Sequence, residues 1–98
     1  MKIAYLKQAR RDLLWWSSYY QRTFPADQLS VYRRFKNILE VLKENPFAGI
    51  QVDETDLRRF PIPRTPFLIV YRVGNAKLEI VRVWDMRNKP LQTFTDDI

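Results

Sequence analysis

The stretch P66-FLIVYRVGNAKLEIVRVWDMRNK-P90 decides the fold. Phe67, Ile69, Tyr71 and Val73 alternate with Leu68, Val70 and Arg72, so both faces of a strand here are largely apolar. Gly74–Asn75 suits a two-residue hairpin turn, with glycine supplying a positive φ at the first central position. Leu78, Ile80, Arg82 and Trp84 then alternate with Glu79, Val81, Val83 and Asp85, which predicts a second strand antiparallel to the first. "WDMRNKP" leaves this hairpin as an exposed segment of mixed charge. The tail "LQTFTDDI" beyond it is expected to dock through Leu91 and Phe94 or to stay mobile.

Working outward, "LRRFPI" (Leu57–Ile62) predicts a short strand that Pro61 confines to an edge or an end. Residues 50–56 are polar and acidic and read as a loop. "ENPFAG" marks the end of a helix, with Pro46 stopping it and Gly49 allowing a tight turn. Upstream, Val31, Phe35, Ile38 and Leu42 form one helical stripe, flanked by Tyr32 and Leu39. Ala9, Leu13, Trp16 and Tyr20 form another, flanked by Trp15 and Tyr19. Pro25 separates the two helices and suits the first turn of the second. "KIAYL" (Lys2–Leu6) reads as an initial strand. The predicted order is β-α-α-β-β-β, an α+β fold with a helical hairpin on a small antiparallel sheet, in one domain over residues 1–98.

Composition narrows the chemistry. There is neither cysteine nor histidine, so disulfides, thiolate metal sites and the usual zinc ligands are excluded, and no metal or cofactor is expected. No apolar run reaches membrane-spanning length, so the expectation is a soluble cytoplasmic protein without a membrane partner. Net charge is +6. Residues 1–49 hold nine basic and four acidic side chains, and residues 50–98 hold eight and seven. Such a field favours anionic partners: nucleic acid, an enzyme that works on it, or an acidic protein chain.

In their order and spacing, "ARRDLLWWSSYY", "ILEVLKENPFAG", "LRRFPI", "PFLIVYRV" and "VRVWDMRNKP" resemble the RelE/ParE superfamily of type II toxins, the ParE branch most closely. Ala9, Asp12 and Leu13 match that family's opening of the first helix. Pro46 to Gly49 match its proline–x–x–glycine, and Tyr71–Val73 its "YRV" strand. The resemblance implies a bacterial cytoplasmic toxin, often a plasmid-stabilising one. It also implies a cognate antitoxin that is acidic, partly disordered and DNA-binding. ParE-type relatives bind and poison DNA gyrase, whereas RelE-type relatives cleave messenger RNA on the ribosome.

The residues themselves weigh against cleavage. Metal-free RNA cleavage needs a base for the 2′-hydroxyl, cations for the phosphorane and an acid for the leaving oxygen. Trp84 and Asp85 stand where a nuclease relative would place a histidine or tyrosine. No lysine falls in residues 50–76, and arginine is a poor base. No catalytic residue is therefore assigned, and direct nucleic-acid binding is a secondary expectation. Arg72, Arg82 and Arg87 are the candidate target contacts; only Arg87 matches the arginines that ParE relatives carry after the last strand. For Arg72 and Arg82 the competing role is an ion pair with Glu79 or Asp85. Trp15, Tyr19, Arg58, Arg59 and Arg64 are the candidate antitoxin contacts. A nuclease, or a toxin fold that retains only antitoxin binding, is the alternative.

Overall fold

The computed structural model describes residues 1–87. Strand β1 (Lys2–Tyr5) leads into helix α1 (Lys7–Thr23). A 3₁₀ turn at Pro25–Asp27 is followed by helix α2 (Gln28–Glu44). Then come β2 (Ile50–Gln51), β3 (Leu57–Pro61), β4 (Phe67–Val73) and β5 (Lys77–Asp85). The sheet order is β1-β5-β4-β3-β2. The α+β class and the helical hairpin agree with the sequence reading, and several details differ.

First, the sheet is mixed. β1 pairs with β5 in parallel, from Lys2 opposite Lys77 to Tyr5 opposite Ile80. The chain must leave β1, cross through both helices and return before it can lay β5 beside it. Second, Ile50 and Gln51 pair with Arg59 and Arg58, so part of the expected loop is a two-residue strand. Third, the β4–β5 hairpin turns on Asn75 and Ala76. Gly74 N–H donates to Lys77 O at 2.8 Å, and the positive φ of 60° falls on Ala76. Pro25 likewise begins the 3₁₀ turn rather than α2 itself.

The apolar pattern explains the layering. Ala9, Trp16 and Tyr20 of α1 and Val31, Phe35, Ile38 and Leu42 of α2 pack in one cluster with Phe67, Ile69, Tyr71, Leu78, Ile80 and Val83 of the sheet. Strict alternation along β5 fails because the β4–β5 register shifts between Val70 and Tyr71. Tyr71 pairs with Ile80 but Val70 pairs with Arg82, so Val81 is the extra residue of a bulge. Val83 thereby joins the helix-side core. Trp84 moves to the opposite face with Val52, Leu57, Leu68 and Val70. Among the described residues no helix is long and apolar enough to cross a membrane.

Candidate functional site

A groove of about 440 Å³ opens between α1 and α2. Leu13, Trp16 and Tyr20 form one wall, and Leu29, Val31, Tyr32 and Phe35 the other. Tyr5 from β1, Ser17, Gln28 and Lys36 complete it. The helices follow their core stripes on the sheet side, and the side chains next to those stripes are left to line an open cleft. Leu29 is 59% exposed and Tyr32 53% exposed, unusually high for large apolar groups beside a core. Burial, followed by the neighbouring Tyr32, raises the Tyr5 pKa above the ordinary tyrosine value. The indole N–H of Trp16 is buried without a hydrogen-bond partner.

None of the five residues assigned to an antitoxin from the sequence lines this groove. Arg58 is held by the corner after α2, donating to Gly49 O at 2.8 Å and to Phe47 O at 3.3 Å, with its guanidinium 4.9 Å from the Phe47 ring. Arg59 pairs with Ile50 and Val70 on β3. Arg64 sits exposed, with a φ of 63°, between β3 and β4. Trp15 and Tyr19 lie on the other flank of α1, stacked on each other at 5.3 Å. The groove residues Leu29, Tyr32 and Lys36 had a signal in the sequence: they step by three and four along α2, outside the Val31–Phe35–Ile38–Leu42 stripe.

The three arginines assigned to a target each meet a carboxylate. Arg72 donates from Nε to Glu79 at 2.9 Å, the ion pair weighed as its competing role. That hydrogen bond holds the Glu79 pKa below the ordinary carboxylate value. Arg82 reaches neither Glu79 nor Asp85 in its closest pairing. It donates bidentately to Asp12 of α1 at 2.7 and 3.1 Å, and Val83 N–H donates to the same carboxylate at 3.0 Å. Asp12 thus covers an open stretch of the β5 edge beyond the end of β1, and Arg82 also lies 4.9 Å from the Trp84 ring. Arg87 donates to Asp85 at 3.1 and 3.0 Å and to Tyr19 Oη at 2.8 Å. Its guanidinium lies 4.9 Å from the Tyr19 ring. A candidate target contact and a candidate antitoxin contact therefore belong to one cluster. Burial pushes the Asp85 pKa up, but its bonds from Arg87 outweigh this and leave it lowered.

Tyr71, the last tyrosine of the sequence, is fully buried. Its hydroxyl donates to Pro46 O at 2.7 Å and accepts from Gly49 N–H at 2.8 Å. Burial raises its pKa above the ordinary tyrosine value, against the Gly49 bond and Arg58. Gly49 serves close approach rather than turn geometry: a Cβ there would stand 2.6 Å from the Tyr71 hydroxyl and 2.9 Å from Arg59 O.

The description of the ParE toxin of type II toxin–antitoxin systems (parDE) matches residues 3–90. The chain belongs to the ParE toxin family. Among solved structures, this ParE-family chain is similar to the chromosomal ParDE toxin–antitoxin system from P. aeruginosa, at 22% identity and a TM-score of 0.69, covering 85% of this chain and 92% of that one. It is also similar to the YoeB dimer from Staphylococcus aureus, at 16% identity and a TM-score of 0.59, covering 85% and 93%. At these identities the likeness is one of fold. No curated protein matches the sequence significantly.

Proposed function

We propose that this ParE-family toxin acts by binding DNA gyrase as a protein ligand, and that its antitoxin neutralises it by seating an apolar helix between α1 and α2. The observation that carries the first part is the state of the ionisable groups near β4 and β5. Arg72, Arg82 and Arg87 are each engaged by a carboxylate, and the Tyr71 hydroxyl is buried with both its bonds made. A phosphorane needs uncompensated cations and a titrating acid and base, and this arrangement supplies neither. Of the three arginines, Arg87 has the most exposed side chain and is the preferred target contact.

The groove supports the antitoxin reading. Its apolar walls suit an amphipathic helix, and Lys36 on its rim favours an acidic one. Beside it, Lys2 and Leu6 direct their N–H groups to Ala76 O, just before β5, and to Ile80 O within it. Alternation then turns the amides of Ile3 and Tyr5 to the outer edge of β1, where an extended antitoxin segment can add as a strand.

The YoeB-like fold favours one second reading, a ribosome-dependent nuclease. Toxin freed of antitoxin, assayed in parallel on gyrase with supercoiled DNA and on ribosomes with message, separates the two. Accumulation of cleaved DNA with intact message is expected. Cut message with unaffected gyrase overturns the proposal. Activity in neither assay would leave a toxin fold with antitoxin binding alone, and overturns it equally.

A further inference from the structure

Helix α1 carries a second feature on the side that the groove does not use. Lys7, Arg11, Trp15, Ser18 and Arg22 follow one another at spacings of four, four, three and four, so they form a single stripe along the helix. All five are exposed. The stripe runs for about 22 Å at about 1.5 Å per residue. Among the described residues, no carboxylate pairs with Lys7, Arg11 or Arg22. The one acid of α1, Asp12, is turned to Arg82 and the Val83 amide. Arg22 donates only to the Ser18 carbonyl of its own helix, at 3.3 Å.

Trp15 breaks the cationic run near its middle. It is 45% exposed, whereas Trp16 and Trp84 are 4% and 6% exposed. Its ring is braced from below, stacked on Tyr19 at 5.3 Å with 24° between the planes, and Tyr19 is itself backed by the Arg87 guanidinium at 4.9 Å. Tyr19 cannot turn away without breaking its 2.8 Å bond from Arg87. A large aromatic surface is thus held in fixed orientation at the protein surface, with free cations on both sides of it along the helix axis.

We infer that this stripe is a binding face for single-stranded nucleic acid, with phosphates on Lys7, Arg11 and Arg22 and a base stacked on Trp15. The groove that suits the apolar face of a protein helix lies on the opposite flank of α1, away from this stripe. A convex row of cations around a braced aromatic ring suits a flexible polyanion whose bases offer flat faces. The lack of shape or amide readout along the row makes the interaction tolerant of sequence. It does not depend on which target or antitoxin the toxin uses.

The probe is a short thymidine oligonucleotide, titrated into the full-length chain freed of antitoxin at low salt. Base stacking on Trp15 quenches tryptophan emission, and Trp16 and Trp84 are too buried to contribute. Affinity should fall with salt at a log–log slope of about −2, as expected for three cations at about −0.7 each. Lys7→Glu with Arg11→Glu should reduce affinity at least tenfold and flatten that slope. Trp15→Ala should reduce it by about 5- to 150-fold, the range for loss of one stacked base. Arg33→Glu, on α2, is the charge control and should leave a larger share of the binding. Unchanged thermal unfolding of the variants separates lost binding from lost folding. No quenching at low salt, or binding that the α1 variants leave intact, overturns the inference. So does tighter binding of a polyglutamate peptide than of the oligonucleotide with the same variant sensitivity, which would assign the stripe to an acidic protein.

Discussion

Two regions of the helical layer meet the sheet in opposite ways. At the carboxyl end of α2, the Pro46–Gly49 corner is closed on Tyr71 with no room for a single added methyl group. Across the layer, between Leu13 and Trp16 of α1 and Leu29 and Tyr32 of α2, the cleft stays open at about 440 Å³. Both regions are built largely from aromatic side chains. In the closed corner the tyrosine hydroxyl is satisfied on two sides by backbone, whereas the open cleft contains the unpartnered indole N–H of Trp16 and exposed Leu29. Satisfied polar groups and the lack of free volume mark a structural joint, and exposed apolar side chains such as Leu29 mark a place for a partner.

Substitutions can break this contrast, and the largest effect belongs to the closed corner. Gly49→Ala forces a methyl group into the Tyr71 ring and the Arg59 carbonyl. It should destabilise the fold by about 3 kcal/mol, read as a lowered urea midpoint. Asp12→Asn is expected to cost about 2 kcal/mol in the same experiment, because it weakens both bonds to a partly buried Arg82. Tyr71→Phe strands the Gly49 amide and Pro46 carbonyl and should cost about 1–2 kcal/mol. In the open cleft the pattern reverses. Leu29→Ser should change stability by less than about 0.5 kcal/mol but weaken antitoxin binding by about 1.5 kcal/mol, measured by calorimetry.

The smallest effect concerns pH. The Asp85 carboxyl has a lowered pKa in the fold, so its contribution to stability is complete above the ordinary value of 3.8 and lost only as pH falls through the lower, folded value. The Arg87–Tyr19 contact should therefore persist unchanged from pH 7 to pH 5 and loosen only at pH below 3.8, as Asp85 takes up its proton. Tyrosine-ring proton shifts at Tyr19 report it directly.

Both helices were legible in the sequence because apolar residues three and four apart need no distant partner to be recognised. The strands of the β4–β5 hairpin were legible for a similar reason, since a short turn ties them together. What escaped depends on contacts remote in the chain. Asp12 meets Arg82 70 positions later, and Tyr19 meets Arg87 68 positions later; nothing local in either pair announces the other. The parallel seating of β1 against β5 is of the same kind. The bulge at Val81 cannot be seen in the alternation of β5 alone, because it is a mismatch between two strands. Gly49 was visible as a residue but not in its role, because the atom that forbids a side chain there belongs to Tyr71. The expected docking of the tail through Leu91 and Phe94 lies outside the described residues.

The division into a closed joint and an open cleft is tested most directly by amide and side-chain chemical-shift mapping of the labelled toxin as its cognate antitoxin is added. The account predicts the largest shifts at Tyr5, Leu13, Trp16, Leu29 and Tyr32, with Gly49 and Tyr71 nearly still. Shifts centred on Arg58, Arg59 and Gly49, with the cleft between α1 and α2 unaffected, would contradict it.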